Sequence, residues 1–544
     1  MLDRLYRFLL TPLREWHRKR IRRMIRGYRF LTTSHNLHVI GDLHQALREK
    51  KINIVVTDFS EAILGDAMGS ADLVIRQRVS KIRDVLTKAL LIAVSSPGGL
   101  VICPLPRQWG HEVQNAGFNV AHRRCEALWY LYIMAQLALG FVAMATTIGR
   151  SFWRIFPTKK FPSNYVYFCN LKKSNLPRSN RDSTDHCVVG WYCQWSGKHK
   201  GVCAIHHSVK DYDCCEARGF ALQYQSAAVP GIEGMLPNLC FVLWAIKAAF
   251  ICVVDTMRGR WWHALLLRES ADAKALKLAS SKRLAKQYMF HNGIYFPPLW
   301  AYSAQSAGSE VLLYFYSTNS EVMQRYRNDK PTPNMYSLMN WPHYLVWDQY
   351  QAEVVKCYEG PDSKVEIVGP IWFEDNGLLM PDIDYKTVAV FDVQPFRKTL
   401  YCSLGLAFEY YVPDVACKFL LDAQVAITAC NGKMLYKAKR EVGPLVHPTF
   451  QTFRNSFIEQ ESVCNLDPGI SAYRVIETAG AVNSMPFTST ALLAREMRKP
   501  TAFYDPSGRL QKNDPAAHGI PVFQNCESLT LWLKDALNNK NLVP

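Results

Sequence analysis

Between Thr387 and Leu537 short apolar runs alternate with helical patterns, and no other feature of the 544-residue chain restricts its fold so tightly. The runs are Thr387–Val393, Met434–Lys437, Ala481–Val482, Thr501–Tyr504 and Val522–Phe523. Helical spacing covers Val412–Thr428, Ile470–Thr478, Ala491–Met497 and Ser528–Leu537. Strands alternating with helices predict a doubly wound α/β domain of about 160 residues. Its centre is Ala479–Pro506, a strand–loop–helix–strand unit whose loop holds Ser484, Pro486, Phe487, Thr488, Ser489 and Thr490. One hydroxyl there would serve as a helix N-cap. Several together, at the positive end of a helix, predict a seat for a phosphate.

The remainder is long enough for further cores, so two or three domains are expected. The net charge of +18 is concentrated at the start, where residues 1–30 hold ten Lys/Arg interleaved with Leu2, Leu5, Phe8, Leu9, Leu13 and Trp16. Residues 1–35 therefore read as a basic amphipathic arm suited to an anionic membrane surface. Nucleic acid would suit the charge too, but no nucleic-acid-binding motif follows and none is expected as a partner. A cleavable signal is not expected either, for want of an uninterrupted apolar core and cleavage site. Residues 36–375 form the expected N-terminal α/β domain, with strand candidates at Ile52–Thr57, Val311–Ser317, Tyr344–Trp347 and Val365–Gly369. It contains two apolar segments, 127–149 and 236–254, flanked by Arg123, Arg124, Arg150 and Arg258, Arg260, Trp261, Trp262. Basic residues at both ends give no orientation across a bilayer, so buried or interfacial helices in monotopic contact are expected. Residues 158–235, polar and rich in Cys, read as an insertion. The acidic, turn-rich Glu374–Asp384 marks the linker, and 385–544 the second domain.

Sixteen cysteines, most of them scattered singly, predict reduced thiols in a cytosolic protein; with the basic arm and apolar segments, the expected location is cytoplasmic, peripherally or monotopically attached to the inner membrane. The His186–Cys215 group lacks paired zinc knuckles, and the acidic pairs Asp211/Asp213 and Asp382/Asp384 follow no strand. No metal and no cofactor are expected. The chain contains no P-loop, dinucleotide fingerprint, HExxH or nucleophile elbow, which weighs against P-loop ATPases, classical dehydrogenases and α/β-hydrolases.

Catalytic candidates are His447, held by Pro448 at a strand end, and the carboxylates Glu310, Asp348, Glu374 and Asp375, each a possible general base. Glu477, before the hydroxyl loop, is a candidate for a ribose or base contact. Asp392, Gln394 and Arg397 follow the first strand of the second domain.

The stretch MPFTSTALLAREMRKPTAFYDPSG resembles the signature of bacterial polysaccharide-biosynthesis proteins named for a PFTS motif. The resemblance implies a GT-B-like architecture, two Rossmann-like domains facing a cleft. An HP pair with later Ser/Thr residues is similar to bacterial sialyltransferases and Kdo transferases, in which these groups contact the phosphate of a CMP-sugar. It implies that His447 and Pro448 are that pair, that Ser484 and Thr488–Thr490 are the phosphate-binding hydroxyls, and that Asp505 closes the next strand. The expectation is a metal-independent, membrane-associated glycosyltransferase of O-antigen or capsule synthesis. It would take a nucleotide sugar, such as a CMP-nonulosonate, and a lipid-linked or polysaccharide acceptor. The alternatives are a polyol-phosphate transferase, a nucleotide-sugar epimerase, and a non-catalytic assembly scaffold.

Overall fold

The computed structural model describes residues 98–538 except 153–163, 178–186, 197–200, 213–215, 295, 319–338, 373–376, 384–385, 396–410 and 439–445, with a few positions between 77 and 93. The basic arm, the strand expected at Ile52–Thr57, and Glu374 and Asp375 lie outside the described residues.

A small parallel ribbon, β1 (Leu100–Val101) and β2 (Asn119–Val120), joined by α1 (Arg107–Asn115), precedes the long α2 (His122–Phe152). Then come β3 (Tyr165–Phe168), α3 (Val188–Ser196), β4 (Ala204–His207), β5 (Glu216–Ala217) and β6 (Phe220–Tyr224). Two helices follow, α4 (Met235–Met257) and α5 (Trp262–Leu278). The first domain ends with β7 (Gln287–His291), α6 (Leu299–Ser306), β8 (Glu310–Tyr314), β9 (Tyr344–Val346), α7 (Gln349–Glu359) and β10 (Val365–Ile367).

The eight strands β3–β10 form one sheet in the order β10-β9-β8-β7-β3-β4-β6-β5, parallel except for the β5–β6 pair. Without the β5 flap, the order counted from β3 is the Rossmann order extended by one strand. The segment 158–235 is therefore no insertion. It supplies β3, at the centre of the sheet, with β4, β5 and β6. Its strands escape notice because YVYF and AIHH are four-residue, fully buried segments without polar alternation.

The second domain comprises β11 (Thr387–Phe391), α8 (Pro413–Thr428), β12 (Lys433–Lys437), α9 (Pro448–Phe457), β13 (Val463–Asn465) and α10 (Ala472–Thr478). It continues with β14 (Ala481–Ser484), α11 (Ser489–Glu496), β15 (Thr501–Tyr504), β16 (Val522–Phe523) and α12 (Cys526–Asn538). Its six strands are all parallel, in the order β13-β12-β11-β14-β15-β16, again the Rossmann order. Both faces are covered. Ala389, Leu435 and Val482 pack with Val475, Ile476 and Ala494 of α10 and α11. The opposite residues Val388, Met434 and Ala481 join the larger core with Phe419, Leu420 and Leu529 of α8 and α12. Burying a Leu, Val or Phe side chain stabilises by about 1.5–3 kcal/mol, which holds β11 and β14 in place although each is only a few residues long. Pro413 and Asp414 open α8 as a helix start favours. Two Rossmann-wound sheets in succession make this a GT-B-like architecture.

The first domain's helical cover differs. On α2, Cys125, Trp129, Ile133, Leu137 and Met144 are buried, and Gly140 lies so close to α5 that a Cβ there would come 2.6 Å from Leu267. Tyr130, Leu131, Met134, Phe141 and Val142 face outward. On α4, Leu236, Leu239, Leu243, Ile246 and Phe250 repeat at helical spacing and are all exposed. These two helices are long and apolar enough to cross a membrane, with mean hydropathies of 1.8 and 2.0. Only 22% and 28% of their most apolar windows is buried, so most of that surface faces outward.

Candidate functional site

In a doubly wound sheet, ligands settle outside the carboxyl ends of the strands, where the winding reverses. In the second domain that point lies between β11 and β14, and the loop leaving β14 is the hydroxyl loop. Met485 N–H bonds Phe391 O at 2.9 Å, fastening the loop to the end of β11. Phe487 adopts φ 59°, a left-handed conformation uncommon for a bulky residue, while its ring is buried against Phe503 at 5.7 Å. This bend delivers Thr488 to the N-cap of α11, yet its hydroxyl makes no capping bond. Instead it donates to Met485 O at 3.0 Å and lies 3.2 Å from Thr490 Oγ1, which is 3.1 Å from Ser484 Oγ. The hydroxyls form a cluster at the helix start, where the aligned peptide dipoles favour negative charge.

Across the gap stand the carboxyl ends of the first domain's strands. Thr318, beyond β8, reaches Ser489: its N–H donates to Ser489 Oγ at 3.0 Å and the two hydroxyls are 3.1 Å apart. Beside Ser489 is a cavity of 180 Å³. Its first-domain wall includes Tyr316, Trp347 and Trp372, and its second-domain wall includes Tyr473, Ser489 and Thr490. The cleft therefore sets the aromatic rings of the first domain, with Tyr473 edge-on to Trp372, against the hydroxyls of Ser489 and Thr490.

A family model described as polysaccharide biosynthesis PFTS motif protein matches residues 244–533, more than half of the chain. The chain belongs to that family. Its PFTS motif is Pro486–Ser489, the bend and helix start just described. No curated protein matches the chain in sequence. Among solved structures, the UDP-GlcNAc 2-epimerase from Methanocaldococcus jannaschii is 9% identical, with a TM-score of 0.34 over 69% of this chain and 93% of that one. Medicago truncatula UGT71G1 complexed with UDP-glucose is 10% identical, with a TM-score of 0.32 over 70% and 90%. The UDP co-structure of MnaA from S. aureus is 8% identical, with a TM-score of 0.35 over 70% and 89%.

The other candidate residues of this PFTS motif protein are distributed as follows. His447 is the N-cap of α9, its Nδ1 accepting from Thr449 N–H at 3.3 Å, with Pro448 at the first helical position. Its own N–H donates to Pro395 O at 2.8 Å, so the HP turn is tied to the segment leaving β11. The HP and PFTS turns thus border the same strand end. Asp348 caps α7, one oxygen accepting from Gln351 N–H at 3.0 Å, while the other meets His518 Nδ1 of the second domain. Arg495 stands 3.9 Å from that oxygen and donates to His518 O. Burial alone would raise the Asp348 carboxyl, but the bonds from His518 and Gln351 outweigh it and hold it below the usual value. With both oxygens engaged, Asp348 is placed as an interdomain latch.

Glu310 opens β8 and accepts from Gln287 Nε2 at 2.7 Å. It therefore stands at the amino edge of the sheet, opposite the cleft, because a parallel strand presents its ligand side only at its other end. Glu477 is exposed near the end of α10, whereas the start of that helix, Ala472 and Tyr473, lines the cavity. Asp505 is fully buried and shapes its own loop, accepting from Ser507 N–H, Ser507 hydroxyl and Leu510 N–H at 3.0, 2.6 and 2.9 Å.

Asp392, one residue past β11, accepts from Tyr436 OH at 2.8 Å, and Arg454 reaches the same phenol and Asn465. Burial pushes the Asp392 carboxyl up to about 6, against the Tyr436 bond and the charge of Arg454. The aromatic wall, Thr318 and the His518–Arg495 latch were not found by sequence reasoning. A Tyr or Trp one or two positions past each short strand (Tyr316, Trp347) was the available signal.

Proposed function

We propose that this protein transfers a sugar from a nucleotide donor during synthesis of a surface polysaccharide, working at the cytoplasmic face of a membrane. The observation that carries this reading is the PFTS hydroxyl cluster at a helix start, on the ligand edge of a Rossmann sheet, facing aromatic rings across a cleft. Departure of a nucleotide creates negative charge on phosphate. Preorganised N–H and O–H donors stabilise that charge more in the transition state than before it. The rings opposite offer flat apolar faces for a base or a sugar. At 180 Å³ the cavity is smaller than the roughly 300–1,000 Å³ of ordinary ligand pockets. Donor entry therefore requires the domains to part, breaking the Thr318–Ser489 and Asp348–His518 contacts.

The membrane part rests on the outer helices. Because α2 is fastened side-on to α5, which carries Arg268, Glu269, Asp272, Lys274 and Lys277, the pair does not fit a bilayer core. We read α2 and α4 as lying in the interface. The exposed Arg123, Arg124, Lys247, Arg258 and Arg260 suit lipid headgroups, and Trp261 and Trp262 an interfacial anchor. A lipid-linked or polysaccharide acceptor fits that placement.

The test is a thermal-shift panel of cytidine, uridine and guanosine sugar nucleotides, with a CMP-nonulosonate first because of the HP and hydroxyl motifs. One class is expected to stabilise the protein, by about 2.7 kcal/mol at a hundredfold excess over Kd, and the effect is expected to vanish in Ser489→Ala. Product analysis by mass spectrometry then separates sugar transfer from epimerisation or polyol-phosphate transfer. If no nucleotide stabilises the protein, and His447→Ala leaves polysaccharide intact in cells, the chain is a scaffold instead.

A further inference from the structure

A second cavity, of 230 Å³, lies within the first domain and is not part of the cleft. It is bounded by the last turns of α2, the middle of α5, Tyr165 of β3 and the segment after β6. In the sheet, β3 and β6 lie on one side of β7, whereas the cleft is built beyond β8 and β9, on the other side.

Internal bonds fix its walls. Tyr165 donates its hydroxyl to Arg283 O at 2.7 Å and stacks on His206 at 4.0 Å. Tyr167 OH donates to Gln225 O at 3.1 Å, and the Gln225 side chain is held by His206 at 2.6 Å and by Ala227 O at 2.8 Å. Two charged groups at the cavity stay open. Asp272, half-buried, has no hydrogen-bond or ion-pair partner among the described residues, and Arg150 is exposed at the rim. Burial lifts the Asp272 carboxyl to about 6, with Arg268 and Arg150 opposing. Tyr224, 51% exposed, presents a free ring at the mouth.

The composition selects the ligand. One open carboxyl opposes one open guanidinium, and Arg283 is already paired with Glu233. A phosphate would meet the Asp272 carboxylate, whereas a ligand with adjacent hydroxyls can donate to Asp272, accept from Arg150 and lay an apolar ring face on Tyr224. The volume, below the roughly 300 Å³ at which ordinary ligand sites begin, suits one ring. We propose that this cavity is a carbohydrate site holding a single pyranose unit of the acceptor or product glycan, apart from the reaction cleft. It deepens the sugar-transfer reading and rests on it for the identity of the glycan.

The test uses the full chain and saturation-transfer NMR with methyl glycosides of glucose, galactose, rhamnose and N-acetylglucosamine, with inorganic phosphate in a parallel titration. At least one glycoside is expected to bind, about tenfold or more weaker in Asp272→Ala, and weaker in Tyr224→Ala, whose exposed position leaves folding intact. Binding is expected to persist in Ser489→Ala. No glycoside signal, a signal unaffected by both first-domain variants, or phosphate binding lost in those variants without glycoside binding, overturns the proposal. Glycoside binding with this mutational pattern supports it even where no nucleotide stabilises the protein, so its fate and that of the transferase reading are read separately.

Discussion

The two domains share one winding order and differ in what surrounds it. The second sheet is covered on both faces, and its helices expose few large apolar side chains, Leu421, Val425 and Leu531 among the described residues. The first sheet carries an outer helical layer whose exposed Leu, Ile and Phe line up along α4 and recur on α2. Scattered surface apolar residues are ordinary, whereas a contiguous patch marks an interaction surface. The ligand edges differ as well: the second domain brings Ser489 and Thr490 beside Tyr473, the first domain Tyr316, Trp347 and Trp372. Winding order thus fixes where a cleft forms, while the side chains at strand ends and on the outer helices decide what each half contributes.

The largest expected effect breaks the contrast in outer layers. Replacing Leu239, Leu243, Ile246 and Phe250 together by Ser removes about 1.5–3 kcal/mol of apolar transfer per side chain. The variant should shift from floating with anionic vesicles to staying in the soluble fraction, at nearly unchanged Tm. The matching change in the second domain, Val425→Ser with Leu531→Ser, should leave flotation as it was. Equal loss from both sets would erase the distinction.

Next comes the contrast between strand ends. Thr490→Val removes a hydroxyl from the PFTS cluster and should lower sugar transfer about a hundredfold, roughly 3 kcal/mol. Wild-type turnover by this variant would remove the cluster from the chemistry.

A smaller effect concerns Asp392. Its folded value of about 6 lies above the ordinary 3.8, so the folded state holds the proton more tightly. Its contribution to stability is present below about pH 4 and is lost as pH rises through 6. Asp392→Asn should therefore stabilise the protein by on the order of 1–3 kcal/mol at pH 7 and have little effect at pH 4, as read by urea unfolding.

The smallest effect sharpens the comparison where the domains meet. Asp348 is held below its ordinary value, so its contribution is present above pH ~4 and lost as pH falls through the folded value. Asp348→Asn should weaken the latch by about 1 kcal/mol near neutrality and widen the spin-label distance between domains. An unchanged distance distribution would show that His518 and Arg495 do not hold the cleft closed.

Much of the second domain could be read directly. The run Thr387–Val393 became β11, the helix Val412–Thr428 became α8, and the PFTS loop fell between strand and helix as expected. The first domain was less legible. Its central strand β3 was hidden inside a polar, cysteine-containing stretch, because a four-residue strand buried on both faces leaves no periodic trace. Candidate carboxylates were harder still: Glu310 opens its strand, at the end a parallel sheet turns away from the ligand, whereas Asp348 follows one, and only the fold showed it engaged as a latch. Local sequence determined the elements of this protein, since capping, apolar periodicity and turn chemistry act within a few residues. Only the tertiary structure decided that Ser489 meets Thr318 and that Asp348 meets His518, because those pairs lie about 170 residues apart and are joined by how two sheets face each other.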